Sequence, residues 1–166
     1  MTKLPIDFPE HRLFVRLFGG DVYAVGGAVR DIVRGSPPPD IDILVARHTI
    51  PDIVRRLKRH GRVGLVGRSF GIIKFTTGGR TYDVALPRRD VPRGTGAKSH
   101  KDFLIAADPS LPVEKDLERR DFRTNSMALR LRDGLLIDPF GGRADTLRRK
   151  IRVTNPAAFP DDPLRV

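Results

Sequence analysis

Cysteine and tryptophan are both absent from this 166-residue chain. Without thiols there is no disulfide and no thiolate metal site, so any bound metal must rely on oxygen or imidazole ligands. No apolar stretch approaches the roughly 20 residues that a membrane-spanning helix needs. The opening Met1-Thr2-Lys3-Leu4-Pro5-Ile6-Asp7 also lacks the apolar centre of a secretion signal. A soluble, cytoplasmic protein with no membrane partner is therefore expected. Acidic residues are scarce as well: 20 Asp and Glu stand against 31 Lys and Arg, which leaves a net charge of +11. Such a surface attracts polyanions by releasing their counterions, so nucleic acid or polyphosphate is the expected partner. An arginine-rich genome would give the same balance, and charge by itself names no reaction.

The length suits one domain with a real core. Leu13, Phe14, Leu17 and Phe18 recur at helical spacing after Pro9, and Gly19-Gly20 ends that N-terminal helix within residues 1–20. Residues 22–25 read as a short buried strand, followed by Gly26-Gly27 and a helix over about 28–34. Ser36 and the three prolines at 37–39 form a stiff loop, residues 40–46 a strand, and Pro51 opens a helix that closes near Gly61. The pattern then turns to period two, giving strands at 62–66, 72–76 and 81–86, with Gly78-Gly79 as a hairpin turn. Residues 87–112 are polar and poorly patterned, and are expected to be a flexible loop. A helix over 116–126, strands at 127–131 and 135–137, and a helix near 143–149 follow. Another helix is expected to begin at Asn155 or later. This alternation predicts an α/β (α+β) domain with a small mixed sheet backed by helices.

The most informative stretch is Asp40-Ile41-Asp42-Ile43-Leu44-Val45. Residues two apart on a strand point the same way with Cα atoms roughly 6.5 Å apart. Asp40 and Asp42 then share one face while Ile41, Ile43 and Val45 bury the other. Two such carboxylates suit Mg²⁺ ions held about 3.5–4 Å apart, because hard cations prefer carboxylate and phosphate oxygens. An isolated Asp-x-Asp is more often a pair of ordinary surface acids. Here, however, it follows a glycine turn, and a further strand carries Asp83 opposite the apolar face of Tyr82, Val84 and Leu86.

The turn itself, Val25-Gly26-Gly27-Ala28-Val29-Arg30-Asp31, joins a strand to a helix. Glycines let the backbone approach a polyphosphate, and free N–H groups at the helix start favour negative charge. Arg30 can add a charge-assisted contact. Two glycines are usually no more than a turn, and the sequence matches neither a Walker loop nor a complete dinucleotide-binding fingerprint.

Taken together, Gly26-Gly27-Ala28-Val29-Arg30-Asp31 and Asp40-Ile41-Asp42 resemble the head of the class II tRNA nucleotidyltransferases, the CCA-adding enzymes and bacterial poly(A) polymerases. Two further blocks agree in order and type. Asp116-Leu117-Glu118-Arg119-Arg120-Asp121-Phe122-Arg123-Thr124-Asn125-Ser126-Met127-Ala128 resembles the family's Arg-Arg-Asp-Phe block, and Asp138-Pro139-Phe140-Gly141-Gly142 its Asp-Pro-Phe-Gly-Gly block. Ala85-Leu86-Pro87-Arg88-Arg89 also fits. The resemblance implies a polymerase-beta-like nucleotidyltransferase fold over residues 1–166 and a two-metal Mg²⁺ site. By matching positions, Asp40 and Asp42 would be metal ligands and Asp83 the third acid. Gly26, Gly27 and Arg30 would meet the triphosphate, Arg120 the nucleotide phosphates or sugar, and Asp121 the ribose 2′-hydroxyl, with Asn125 nearby. The Asp-Pro-Phe-Gly-Gly block would be structural.

The resemblance implies transfer of nucleotides from ATP or CTP to an RNA 3′ end, with tRNA CCA-end synthesis or repair foremost. Two departures stand out. Arg123 and Thr124 interrupt the usual family sequence after the Arg-Arg-Asp block, and residues 155–166 resemble the start of a neck helix cut short. In relatives, the neck, body and tail that select the base and hold tRNA lie beyond this point. The alternatives are a non-catalytic NTP- or RNA-binding module, a subunit that needs a partner protein, and, more remotely, transfer to a protein or small molecule.

Overall fold

The apolar stripe that opens the chain is realised in helix α1 (His11–Phe18), which buries Phe14 and Phe18 and half-buries Leu13 and Leu17. The structure, a computed structural model, describes residues 2–66, 71–92 and 103–156. Strand β1 (Val22–Val25) leads through Gly26 into helix α2 (Gly27–Val33), and strand β2 (Asp42–Val45) follows the proline loop. Helix α3 (Ile50–Leu57) starts at Thr49, whose hydroxyl accepts from the Asp52 N–H at 3.4 Å. Such a cap satisfies one of the orphan donors of a first turn.

Strands β3 (Arg62–Val66), β4 (Ile72–Thr77) and β5 (Arg80–Ala85) form an antiparallel meander. Gly78 and Gly79, with φ of 55° and 76°, make the tight turn between the last two. Both central positions of that kind of hairpin turn need positive φ, which glycine adopts without a Cβ clash. Strands β8 (Ala128–Arg130) and β9 (Leu136–Ile137) complete a seven-stranded sheet in the order β3-β4-β5-β2-β1-β8-β9. Every pairing is antiparallel except β2 with β5.

The sheet has two unlike faces. On one, α1, α2 and α3 cover a core that includes Ile43, Val45, Ile73, Phe75, Tyr82 and Val84. Phe14 sits at its centre, edge-on to Tyr82 and Phe75 with ring centroids 5.2 Å and 5.9 Å away. Each such pair adds about 0.5–1.5 kcal/mol beyond the area it buries. On the other face, α4 (Val113–Glu118) sets Val113 and Leu117 against Val25, Leu44 and Ala128. Ile72, Lys74, Thr76, Thr81, Asp83 and Ala85, the alternate residues of β4 and β5, lie on that second face and keep partial or full exposure. The polar site grows on this half-open side.

Three expectations are corrected. Residues 87–112 are not one long loop: β6 (Arg88–Pro92) pairs antiparallel with β7 (Phe103–Ala107), from Arg88↔Ala107 to Pro92↔Phe103. The residues between these strands lie outside those described. The helix expected over 116–126 begins earlier and ends at Glu118, with a separate 3-10 turn at Arg123–Asn125. Asp121 Oδ1 accepts from the Phe122 N–H at 2.6 Å and Phe122 is extended, so a local side-chain bond competes with the helical ladder. Strand β2 starts at Asp42, so Asp40 stands in the bend before it. Pro37, Pro38 and Pro39 fix the backbone there and offer no N–H to a ladder.

The last helix, α5 (Gly142–Leu147), is capped by Asp138, whose carboxylate accepts from the N–H groups of Gly142 at 2.6 Å and Arg143 at 3.0 Å. The Asp-Pro-Phe-Gly-Gly block is therefore structural in its contacts. The expected neck helix falls on residues 157–166, outside those described, and residues 155 and 156 are not helical. Among the described residues, no helix is long and apolar enough to cross a membrane.

Candidate active site

Backbone register assembles the acidic part of the site. Asp42 faces Val25 across the antiparallel β1–β2 pair and Asp83 across the parallel β2–β5 pair. Register partners on neighbouring strands lie about 4.8 Å apart and point to the same face. The carboxylates of Asp42 and Asp83 therefore stand side by side on the half-open face, next to the end of β1. Partial desolvation against the cavity wall pushes the Asp42 carboxyl above the usual carboxylate range, although the residue as a whole stays exposed. The Arg120 guanidinium opposes that shift, while the nearby negative charges of Asp83 and Asp40 add to it and Lys74 counters them. Asp83 is held by Lys74, whose Nζ donates to its Oδ1 at 2.7 Å. Among the described residues, no three aspartate, glutamate or histidine side chains are drawn together as a ready-made metal cage.

The glycine turn brings a positive charge to the same place. Gly26 has φ 70°, and a Cβ built on it would lie 3.0 Å from Arg120 Nη1 and 3.8 Å from Asp42 Oδ2. Glycine is needed there both for the left-handed backbone and for the close passage of the guanidinium. Arg120 is anchored from behind by Asp116, its Nη2 donating to Oδ2 at 3.1 Å. The Asp116 carboxylate is buried, and its other oxygen accepts the Arg88 N–H at 3.0 Å. Burial lowers the Arg88 pKa, an effect that Asp116 partly offsets. Asp42, Asp83, Arg88, Asp116, Arg119 and Arg120 line one cavity of ≈ 420 Å³ whose apolar wall includes Leu44 and Leu86. Strand carboxylates and three arginines lining one cavity suit an anion that carries a cation.

The remaining expected residues form a second cluster on the α2 side of the turn. Arg30 donates from Nη1 to Asn125 Oδ1 at 2.9 Å and from Nε to Asp31 at 3.1 Å. Asn125 Nδ2 in turn donates to Asp121 Oδ1 at 3.2 Å. Gly27 lies beside Arg30, since a Cβ there would come within 3.4 Å of Nη2. Of the expected residues, Asp42, Asp83 and Arg120 line the cavity, Gly26 lies against Arg120 and Asp42, and Arg30, Asp121 and Asn125 are hydrogen-bonded together. Asp40 acts on Asp42 through charge but does not line the cavity. Asp116, Arg119, Arg88 and Lys74 escaped the sequence reading as site residues. The first three lie within stretches already noted for their family likeness, whereas nothing in the sequence signals Lys74. Arg123 is turned to other work: its Nε donates to the Val153 carbonyl at 3.3 Å and its N–H to the Arg152 carbonyl at 2.9 Å.

A mixed, mostly antiparallel sheet with paired carboxylates beside a glycine turn defines a nucleotidyltransferase-type head domain. Residues 22–152 match the family model described as "Poly A polymerase head domain", and the chain belongs to that family. It is 37% identical over 145 residues to the multifunctional CCA protein of Stenotrophomonas maltophilia strain K279a, covering 87% of this chain and 33% of that one. It is 39% identical to the protein of the same name from Pseudomonas paraeruginosa strain PA7, covering 87% and 32%. The chain thus spans about a third of the length of these curated relatives.

Among solved structures, an apo form of a CCA-adding enzyme superposes with a TM-score of 0.79 at 31% identity, covering 99% of this chain and 42% of that one. The Thermotoga maritima CCA-adding enzyme complexed with tRNA gives 0.69 at 30%, covering 99% and 40%. The Bacillus stearothermophilus CCA-adding enzyme in complex with CTP gives 0.71 at 29%, covering 96% and 38%. The family implies a divalent metal. The oxygen donors here fit one, because Asp42 and Asp83 are adjacent and their mutual repulsion, together with that of Asp40, is relieved by positive charge.

Proposed function

We propose that this chain is the catalytic head of a metal-dependent nucleotidyltransferase that adds nucleotides from ATP or CTP to an RNA 3′ end. The preferred acceptor is a tRNA whose CCA end is being made or repaired. The observation that carries this reading is the register match of Asp42 with Asp83 on a face shared with Arg120 and the Gly26 turn. That arrangement pairs a carboxylate donor set with a cavity of ≈ 420 Å³ lined by three arginines, groups suited to nucleotidyl transfer. The relatives named above, CCA proteins and a structure with CTP, support the same substrate class.

In this reading Asp40 and Asp42 would hold Mg²⁺ in a two-metal site, with Asp83 beside Asp42 as the third acid. Bound there, the metal would lower the pKa of the attacking 3′-hydroxyl and offset charge on the departing pyrophosphate. The chain's own residues bind and orient. Gly26 and Gly27 give the triphosphate a close approach to backbone N–H groups, and Arg30 and Arg120 supply charge-assisted hydrogen bonds to its oxygens. Asp121 accepts from the ribose 2′-hydroxyl through Oδ2, its Oδ1 being occupied by Phe122 and Asn125. Asn125 holds both Arg30 and Asp121 in place. The apolar wall around Leu44 and Leu86 excludes water from one side of the reacting phosphorus.

The test is incubation of the chain with labelled ATP or CTP and tRNA lacking its 3′ end. It is run alone and with a separately supplied neck-and-body protein, using Asp42→Ala as the control. Metal-dependent extension in either mixture, lost in the variant, supports the proposal. Magnesium-dependent ATP binding without extension in both mixtures would instead favour a binding-only head.

A further inference from the structure

Lys74 belongs to no recognised block, yet the sheet places it in the row of acids. In the β4–β5 pair it is the register partner of Asp83, which is in turn the partner of Asp42. The three side chains therefore stand in line across three strands, on the face that opens to solvent. The ammonium of Lys74 lies 2.7 Å from Asp83 Oδ1, with the two side chains 47% and 39% exposed. Its charge also reaches Asp42, where it opposes the repulsion from Asp83 and Asp40. Residues 72 and 76 of the same strand face are Ile and Thr, and the flanking face positions of β5 are Thr81 and Ala85. Asp83 is thus the acid that β4 and β5 together offer Lys74 on this face.

We propose that Lys74 is a positioning residue, the resident counter-ion of Asp83, which a divalent cation must displace to gain that carboxylate. This rests on the reading of Asp42 and Asp83 as cation ligands. A half-exposed pair of single charges is weak, because water competes for both partners. A hard divalent cation bonds carboxylate oxygens directly and carries twice the charge, so it wins the exchange. Breaking the Lys74–Asp83 contact still subtracts from the cation's binding, so Lys74 sets the affinity of the site. Until the cation arrives, the ammonium holds the Asp83 carboxylate in position beside Asp42.

The test titrates the full 166-residue chain with Mn²⁺ alone, following the loss of the free-ion paramagnetic resonance signal. Four proteins are compared: wild type, Lys74→Met, Lys74→Arg, and Lys115→Met, which removes the same charge from a pair with Glu118 on α4. Lys74→Met is expected to bind Mn²⁺ roughly two- to fivefold more tightly, with Lys74→Arg and Lys115→Met like the wild type. Lys74→Gln serves in its place should Lys74→Met lose its native melting transition. Binding by the wild type with no gain in Lys74→Met overturns the role of Lys74 alone. An equal gain in Lys115→Met overturns it too, by reducing the effect to net charge. If neither wild type nor Lys74→Met binds Mn²⁺, the cation-ligand reading itself falls and takes this proposal with it.

Discussion

Arg120 reaches the cavity because Asp116, one helical turn earlier, holds its guanidinium from behind at 3.1 Å. Asp116 is 5% exposed at its side chain and Arg120 24%, so the anchor is inside and the head of the arginine is wet. A residue of this kind acts on a ligand through its neighbour, and its loss both strands a charge and releases an orientation.

Replacing Asp116 with Ala is expected to cost about 2–3 kcal/mol of stability, since a part-buried guanidinium and the Arg88 N–H both lose their acceptor. Urea unfolding measures this. Arg120→Ala, which leaves the Asp116 carboxylate reachable by water through the vacated space, is expected to cost less stability and to weaken ATP binding about tenfold or more. Calorimetry on the two variants separates the anchor from the contact.

Asp42 gives a pH prediction whose sign is fixed by its environment. Its folded carboxyl is raised above the ordinary value of 3.8, mainly by partial desolvation in the cavity of an otherwise exposed residue, so between those two values the folded protein binds more protons than the unfolded one. Stability on this account is present at low pH and is lost as pH rises through the folded value. Asp42→Asn should therefore melt at a higher temperature than the wild type at pH 7 in EDTA, and the gain should vanish near pH 3.5. Melting curves across that range check it, and a lower melting temperature at pH 7 would contradict the desolvation argument.

Asp145 provides the opposite case. Its side chain is wholly buried and hydrogen-bonded to Arg152, which holds its carboxyl below the usual range. Stability from this contact is present above the unfolded value and is lost as pH falls through the folded one. Asp145→Asn should lower the melting temperature at pH 7 by several degrees and by much less at pH 3, as read from paired thermal melts.

Gly26→Ala introduces a Cβ at φ 70° and 3.0 Å from Arg120 Nη1. With ψ at −136° this is a backbone conformation that L-residues rarely adopt, costing about 1–3 kcal/mol, and the guanidinium must shift aside. ATP affinity should fall along with stability, whereas Gly79→Ala in the β4–β5 turn should cost similar stability with affinity unchanged.

Much of the fold was legible wherever the causes are local. The α1 stripe, the Gly78-Gly79 hairpin and the alternation of β4 and β5 each follow from periodicity or turn chemistry within a few residues. Strands β6 and β7 were not legible, because Arg88-Arg89-Asp90-Val91-Pro92 has no alternating pattern and becomes a strand only through a partner fifteen residues away. The helix expected to run on to Ser126 failed for a related reason: the Asp121 side chain claims a backbone N–H and ends the regular ladder. Within the site, the glycine turn, Arg30 and Arg120 proposed to meet phosphate were visible in the sequence, as were the two acids on strands. Lys74 was not, since its importance comes from register between β4, β5 and β2, which no single stretch records. Asp116 was hidden likewise, because an acid on a short polar helix looks the same whether it faces water or a buried arginine.

The single parallel pairing in the sheet has a consequence for how the acid pair comes into being. Asp42 and Asp83 are separated by α3, β3 and β4, which must cross over before β5 can lie alongside β2. Closing a span of some forty residues is slow compared with making a hairpin. The acid pair therefore exists only once that crossover is complete, after the local β4–β5 hairpin, and any divalent ion held by both carboxylates would require it. Ion capture reports an assembled sheet.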